Sequence, residues 1–164
     1  MSYDPIAPAK GKLQTMSTAT TLRATFLAIS LAFASLAVAG DTPQHERHEL
    51  MEGVGEAAKV VGGMLKGEIE YDNAAAMESL QTWADAAAEF GGLFPEGSET
   101  GEDTEAAPAI WEDRSGFDAA LAAWTEAVDA AIAANPATLE DAKPVVGAAF
   151  GKCKDCHDTY RISD

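Results

Sequence analysis

The chain has 164 residues, with 11 Lys and Arg against 27 Asp and Glu, and its formal net charge is −16. So acidic a chain repels nucleic acid and anionic membrane surfaces, and neither is an expected partner. A basic partner protein, or solubility alone, is the natural interpretation of the acidity.

The N-terminal segment predicts export from the cytoplasm. Residues 24–39 form a short run of apolar and small residues after Arg23, and the run ends in Ala37-Val38-Ala39, a typical signal-peptidase pattern. The run is too short and too rich in small residues for a comfortable membrane span. We therefore expect cleavage after Ala39 and a periplasmic protein, rather than an uncleaved anchor.

The predicted mature chain, residues 40–164, has the length of one domain. It keeps 8 of the 11 basic and 26 of the 27 acidic residues, which gives a net charge of −18. No stable membrane insertion is expected after cleavage. Residues 1–15 do not resemble the start of a signal peptide, so Met16 is a second candidate for the first residue.

Four amphipathic segments predict helices, because their apolar residues recur three and four apart and alternating β-branched residues are nearly absent. They cover about Pro43 to Lys66, Asp72 to Phe90, Arg114 to Ala134, and Leu139 to Arg161. Thr42, Asp72 and Thr138 are candidate N-caps, and Asn135-Pro136 ends the third helix. Pro144 lacks a backbone donor, so it should bend the first turns of the fourth helix or move its start to about Asp141.

The connections favour a helical bundle. An acidic loop, Pro95 to Pro108, joins the second and third helices, and the other links are short. The predicted fold is therefore all-α, an antiparallel four-helix bundle whose core can house a cofactor. Four aromatic side chains are expected in its core or at the cofactor's edge, namely Trp83, Trp111, Phe117 and Trp124.

The fourth helix carries the most informative motif, Cys153-Lys154-Asp155-Cys156-His157. C-x-x-C-H is the attachment signature of a c-type haem: two thiols form thioethers with the vinyl groups, and the imidazole binds the iron. A structural zinc site needs about four ligands, and the chain offers only His45 and His48 in addition. A thioredoxin-type motif normally opens a helix after a strand, and no strand pattern precedes this one. A plain disulfide or a chance match is the remaining alternative.

The predicted mature chain resembles cytochrome c′, the class II c-type cytochromes, over nearly all of residues 43–161. Four groups of residues carry the resemblance. They are Arg47-His48-Glu49-Leu50-Met51 in the first helix, Lys66-Gly67-Glu68 with Tyr71-Asp72 after it, Phe94-Pro95-Glu96-Gly97-Ser98 with Pro108-Ala109-Ile110-Trp111 in the second connection, and Cys153 to Arg161 at the end.

The resemblance implies one covalent haem c per chain, held by Cys153 and Cys156, with His157 as the proximal iron ligand. It places Met51 over the other face of the haem as an apolar lid, which leaves a five-coordinate, high-spin iron that accepts small neutral ligands such as nitric oxide and carbon monoxide. The alternative is that the Met51 sulfur binds iron, as in the low-spin branch of the class, and that the protein is purely an electron carrier. Members of the family commonly form homodimers through their first two helices.

Further haem-site residues follow from the same resemblance. Arg47 is expected near a haem propionate, the alternative being a solvated charge. His48 stands where the family often has Gln, and a surface position is its alternative. Arg161 is expected beside His157, or simply as a favourable cation at a helix C-terminus. Thr104 and Glu105 align loosely with a loop element that touches haem in relatives.

The sequence does not favour an enzyme. No nucleophile with a base, phosphate-binding loop or set of metal-binding carboxylates stands out. A weak peroxidase would want a distal His or Arg to assist O–O cleavage, and His48 is the one nearby candidate. Tyr160 is expected to pack against the haem or the bundle. The leading hypothesis is a protein that binds diatomic ligands and also carries electrons.

Overall fold

A computed structural model of the chain describes residues 42–101 and 104–162. The predicted signal segment, residues 1–39, lies outside the described residues, as does Met16. Cleavage after Ala39 therefore stays a prediction. Among the described helices none is long and apolar enough to cross a membrane.

The predicted bundle is confirmed. Its long helices are α1 (Pro43–Lys66), α2 (Asn73–Phe90), α4 (Arg114–Ala134) and α5 (Leu139–Tyr160). A 3-10 turn, Gly91–Leu93, follows α2, and a four-residue helix, α3 (Ala109–Glu112), precedes α4. The sequence did not predict these two short elements, because three or four residues are too few to show a helical period.

Side chains at the helix ends explain where the long helices begin. Thr42 Oγ1 accepts a hydrogen bond from the His45 amide at 3.2 Å, and an Asp72 oxygen accepts one from the Ala75 amide at 2.7 Å. Gly67 ends α1 with a φ of 75°, a left-handed conformation that glycine adopts without steric cost. These contacts confirm the predicted caps to within one residue.

Pro144 does not delay the start of α5. The helix begins at Leu139, and Thr138 caps it by accepting a hydrogen bond from the Asp141 amide at 3.2 Å. The later of the two expected starts, near Asp141, was wrong. The amide that Pro144 lacks would have bonded the carbonyl of Glu140, an exposed residue, so water can satisfy that carbonyl in its place.

One large apolar cluster fills the bundle, and α1 packs on α2, α2 on α4, α4 on α5, and α5 on α1. Trp83 lies at its centre with no exposed surface, and its Nε1 donates to the Val54 carbonyl at 3.0 Å. The Phe150 ring meets Trp83 edge-on at 5.0 Å between centroids. Because Phe150 lies one turn before Cys153, this contact ties the motif-bearing part of α5 to the core.

A smaller aromatic cluster closes one end of the molecule. Phe94, Ile110 and Phe117 are its buried members, and Tyr160 packs on it with its ring 5.4 Å from that of Phe117. Trp83, Trp124 and Phe117 are all buried, so their predicted place in the core is confirmed. Trp111 is only partly buried and packs on the smaller cluster.

Candidate functional site

The Cys153–His157 motif lies in the last two turns of α5. Cys153 is partly buried and packs against the large cluster, and its Sγ is 3.8 Å from the Ala149 carbonyl of its own helix. Cys156 is partly buried and His157 is exposed. Neither cysteine is in a disulfide, so the plain-disulfide alternative gains no support from the structure.

Burial sets the chemistry of the two thiols. It raises the pKa of Cys153, and it raises the pKa of Cys156 together with the nearby Cys153. Cysteines that act as nucleophiles or redox centres have lowered pKa values, because the thiolate is the reactive form. These two side chains are therefore neutral thiols at pH 7, which suits addition to a vinyl group better than a thioredoxin-type reaction.

The imidazole of His157 is kept in the form that binds metals. Partial loss of hydration lowers the pKa of His157, and the Arg161 guanidinium lowers it further, while Glu105 and Asp158 act in the opposite direction. The neutral form can donate a ring-nitrogen lone pair to iron. Two of the predicted site residues, Glu105 and Arg161, thus lie within electrostatic reach of His157.

Helix α1 places Met51 on the apolar interior. Met51 is partly buried and packs against the same cluster as Cys153. Met64 has only 2 % of its surface exposed and belongs to the core itself. His45 and His48 are exposed on α1. By chemistry the sulfur or nitrogen ligand on the other face of the haem could be Met51, Met64, Met77, His45 or His48. All three methionines belong to or pack on the cluster that Cys153 packs against, and Met51 is the one that lies one turn after Arg47 on α1.

Arg47 is not a solvated charge. Only 5 % of its surface is exposed. Its Nη1 donates to the Leu93 carbonyl at 2.8 Å and to Ser98 Oγ at 3.0 Å, and its Nη2 donates to the Ser98 carbonyl at 2.9 Å and to Thr104 Oγ1 at 3.0 Å. Burial lowers the pKa of Arg47, and the charge of Glu99 opposes that shift.

The aromatic rings near Arg47 complete its environment. The guanidinium carbon lies 4.7 Å from the centre of the Phe94 ring and 5.9 Å from that of Trp111, both within cation–π range. The side chain thus ties the N-terminal part of α1 to the loop before α3. Sequence reasoning missed Ser98 as a partner, since a serine in a Gly- and Glu-rich loop carries no local signal of burial.

Thr104 and Glu105 contact the two helices that carry Met51 and His157. Thr104 accepts from Arg47 on α1, while Glu105 Oε2 lies 2.7 Å from both Nε and Nη2 of Arg161. The same segment forms a short antiparallel bridge, in which the Ala107 amide donates to the Tyr160 carbonyl at 3.0 Å and the Ile162 amide to the Glu105 carbonyl at 2.8 Å. The structure brings together Arg47 with Thr104, and Glu105 with Arg161.

The donor set fits a covalently attached haem. The site offers two neutral thiols at the required spacing, an adjacent neutral imidazole, and an apolar cluster shared by Cys153 and Met51. Arg47 is buried one turn before Met51, and Arg161 is exposed one turn after His157. The indole Nε1 of Trp124 is also buried with no acceptor among the described residues, an arrangement that sequence reasoning could not have found.

Comparison with known proteins agrees with this geometry. A sequence model of the cytochrome c′ family matches residues 42–161. Cytochrome c′ of Rhodopseudomonas palustris is 37 % identical over 141 residues, covering 84 % of this chain and 94 % of that protein. The solved structure of cytochrome c′ from the same organism has a TM-score of 0.73 at 36 % identity, covering 76 % of this chain and 99 % of the other.

A further solved structure of the same class is a nitric oxide complex of a mutant of cytochrome c prime from Alcaligenes xylosoxidans. It has a TM-score of 0.65 at 25 % identity and covers 74 % of this chain and 98 % of that chain.

Proposed function

The chain belongs to the cytochrome c′ family, and we propose that it is a periplasmic protein that binds small diatomic ligands and also carries electrons. Its cofactor is haem c, bound covalently through cysteine. Haem c supplies an iron centre that takes up a diatomic ligand or changes its oxidation state. The observation that carries the proposal is the placement of Met51 on the same apolar cluster as Cys153, on the neighbouring helix α1.

We assign Cys153 and Cys156 to the two thioethers and His157 to the proximal iron ligand. The raised thiol pKa values and the lowered imidazole pKa support these roles, since all three side chains are then uncharged. Phe150 anchors this part of α5 through its contact with Trp83. The helix therefore presents the three side chains from a fixed position.

Met51 is the proposed lid over the other face. Its thioether is a soft, flexible apolar group that fills irregular space, and it packs against a cluster of apolar side chains. Such a surface favours small neutral ligands such as nitric oxide and carbon monoxide and disfavours anions. The nitric oxide complex of the Alcaligenes xylosoxidans protein supports this choice of ligand class.

Arg47 and His48 take different roles in this proposal. The loop uses both donors on each terminal nitrogen of Arg47, so the predicted contact with a haem propionate would use its remaining donor, Nε–H. His48 is exposed, which supports the surface alternative for that residue. A peroxidase role would need His48 on the interior side.

Electron exchange and assembly complete the proposal. The net charge of −16 favours a basic redox partner, because opposite charges speed the encounter of two proteins. Members of the family commonly form dimers through their first two helices, which supports a homodimer here. Analytical ultracentrifugation of the haem-loaded protein at micromolar concentration measures the oligomeric state directly.

The function is tested by optical and EPR spectra of the haem-loaded protein, ferric and ferrous, before and after nitric oxide is added. We expect a high-spin ferric spectrum that changes on addition of nitric oxide. Met51→Leu, which keeps an apolar lid but removes the sulfur, should leave the spin state unchanged. A low-spin spectrum with a sulfur-to-iron charge-transfer band, lost in Met51→Leu, would make Met51 an iron ligand and the protein purely an electron carrier.

A further inference from the structure

The cations that flank the haem motif are not all paired in the same way. Lys152 binds Asp155 and Lys154 binds Asp158, each within α5. Asp158 lies three residues before Arg161 on the same chain segment, yet Arg161 instead binds Glu105, 56 positions away on the loop before α3. Arg161, the last of these cations along the chain, is thus paired by a separate segment of the chain.

Backbone hydrogen bonds bring that segment to the end of α5. The bonds from Ala107 to Tyr160 and from Ile162 to Glu105 lie on either side of Arg161, at 3.0 and 2.8 Å. These two hydrogen bonds hold the backbone of Glu105 beside Arg161 independently of the ion pair. The carboxylate can therefore be neutralised by substitution while the backbone contact remains.

We propose that Glu105 is a positioning residue that holds the Arg161 guanidinium and neutralises its charge beside His157. The proposal rests on the role assigned above to His157 as the iron ligand. Glu105 then acts on the haem through Arg161 and not as a direct haem contact. With Arg161 held by Glu105, the His157 side of the haem carries a nearly balanced pair of charges.

The charge balance between Glu105 and Arg161 should affect the reduction potential of the haem. An uncompensated positive charge near the iron disfavours the oxidised state, which carries one more positive charge than the reduced state. Both charges lie close to His157, because the Arg161 amide donates to the His157 carbonyl at 3.3 Å and Glu105 Oε2 lies 2.7 Å from the Arg161 guanidinium. Loss of the Glu105 charge alone should raise the potential, and loss of the Arg161 charge alone should lower it.

The expected change in the reduction potential is small, because the ion pair is about half exposed, with 49 % of the Arg161 side chain and 59 % of the Glu105 side chain accessible. Exposed pairs interact weakly in water. We expect each single charge removal to change the equilibrium constant for haem reduction by about 1.5- to 5-fold. The double variant should lie close to the wild type.

The experiment is a redox titration of the haem-loaded protein and of three variants, Glu105→Gln, Arg161→Gln and the double variant. Glu112→Gln is the matched control, since Glu112 is an exposed carboxylate on the neighbouring α3. Glu105→Asp, which keeps the charge, should largely restore the wild-type potential. Equal potentials in Glu105→Gln and Glu112→Gln would overturn the proposal.

A second measurement separates positioning from charge alone. The Nε–H signal of Arg161 is followed by ¹⁵N NMR in the diamagnetic ferrous state, with carbon monoxide added where the ferrous iron is high-spin. We expect slow exchange with water in the wild type and fast exchange in Glu105→Gln. Unchanged exchange in Glu105→Gln would show that Glu105 does not hold Arg161. Both measurements work whether or not Met51 binds the iron, so failure here is distinct from failure of the proposed function.

Discussion

Arg47 and Thr104 are hydrogen-bonded at 3.0 Å, although 57 positions separate them. The contact joins the helix that carries Met51 to the segment whose next residue, Glu105, binds Arg161 one turn after His157. A short piece of loop therefore connects the parts of the chain assigned to the two faces of the haem. Its hydrogen bond to α1 is partly buried, while its ion pair with Arg161 at the end of α5 is exposed.

Arg47→Met should destabilise the haem-loaded protein. The substitution keeps the apolar stem but removes the hydrogen bonds to Leu93, Ser98 and Thr104, and it leaves the buried Ser98 without its donor. Hydrogen bonds to a charged group are worth about 1.5–3 kcal/mol each, but partial replacement by water reduces the total, so we expect a loss of about 2–4 kcal/mol. Urea unfolding followed by circular dichroism measures it.

His48→Gln is the matched control for Arg47→Met. His48 is the next residue on α1 and is exposed, so the free energy of unfolding should change by less than about 0.5 kcal/mol. The visible spectrum should also stay the same. A shifted haem spectrum in His48→Gln would assign His48 a haem contact, and equal midpoints for the two variants would refute the role given to Arg47.

Trp83→Phe should cost more stability than Trp124→Phe. Both indoles are buried, but Trp83 Nε1 donates to the Val54 carbonyl and Trp124 Nε1 has no acceptor in the described part of the chain. Removing a paired donor loses a hydrogen bond, whereas removing an unpaired buried donor relieves a desolvation cost. We expect a difference of about 1–2 kcal/mol in urea unfolding. The reverse order would mean that Trp124 finds a partner in the haem-loaded protein.

Single replacements of the two cysteines should each leave one covalent link to the haem. Cys153→Ala and Cys156→Ala should both retain the mass of the haem in denaturing mass spectrometry, and the double variant should lose it. Each thioether joins one sulfur to one vinyl group, so either bond by itself is enough to keep the haem on the chain. Loss of haem mass in either single variant would show that one link cannot hold the cofactor alone.

Ala39→Phe should block removal of the predicted signal segment. The cleavage pattern requires small residues at Ala37 and Ala39 but not at Val38 between them. Intact-mass spectrometry of the exported protein should give the mass of a chain that begins at Gly40, both in the wild type and in the control Val38→Phe. A wild-type protein that retains residues 1–39 would instead be anchored by its uncleaved segment.

Much of the fold could be predicted because its signals are local. The helix ends agree with the prediction to within one residue, since Thr42, Asp72 and Thr138 each cap the three or four residues that follow. Pro144 is a strong helix-breaking signal, yet α5 runs through it because the carbonyl it leaves unpaired lies on an exposed turn.

The sequence by itself determined the cofactor, the four long helices and the candidate residues. The haem motif spans five residues and one helical turn about 3.6, so both are visible in a short stretch of sequence. Only the tertiary structure decided which candidates act together. The partners of Arg47 and Arg161 lie 46 to 57 positions away, and the burial that neutralises the thiols arises from packing between helices. Such pairings depend on how the loops fold back, because a side chain's partner across the bundle is set by distance in space and not by spacing along the chain.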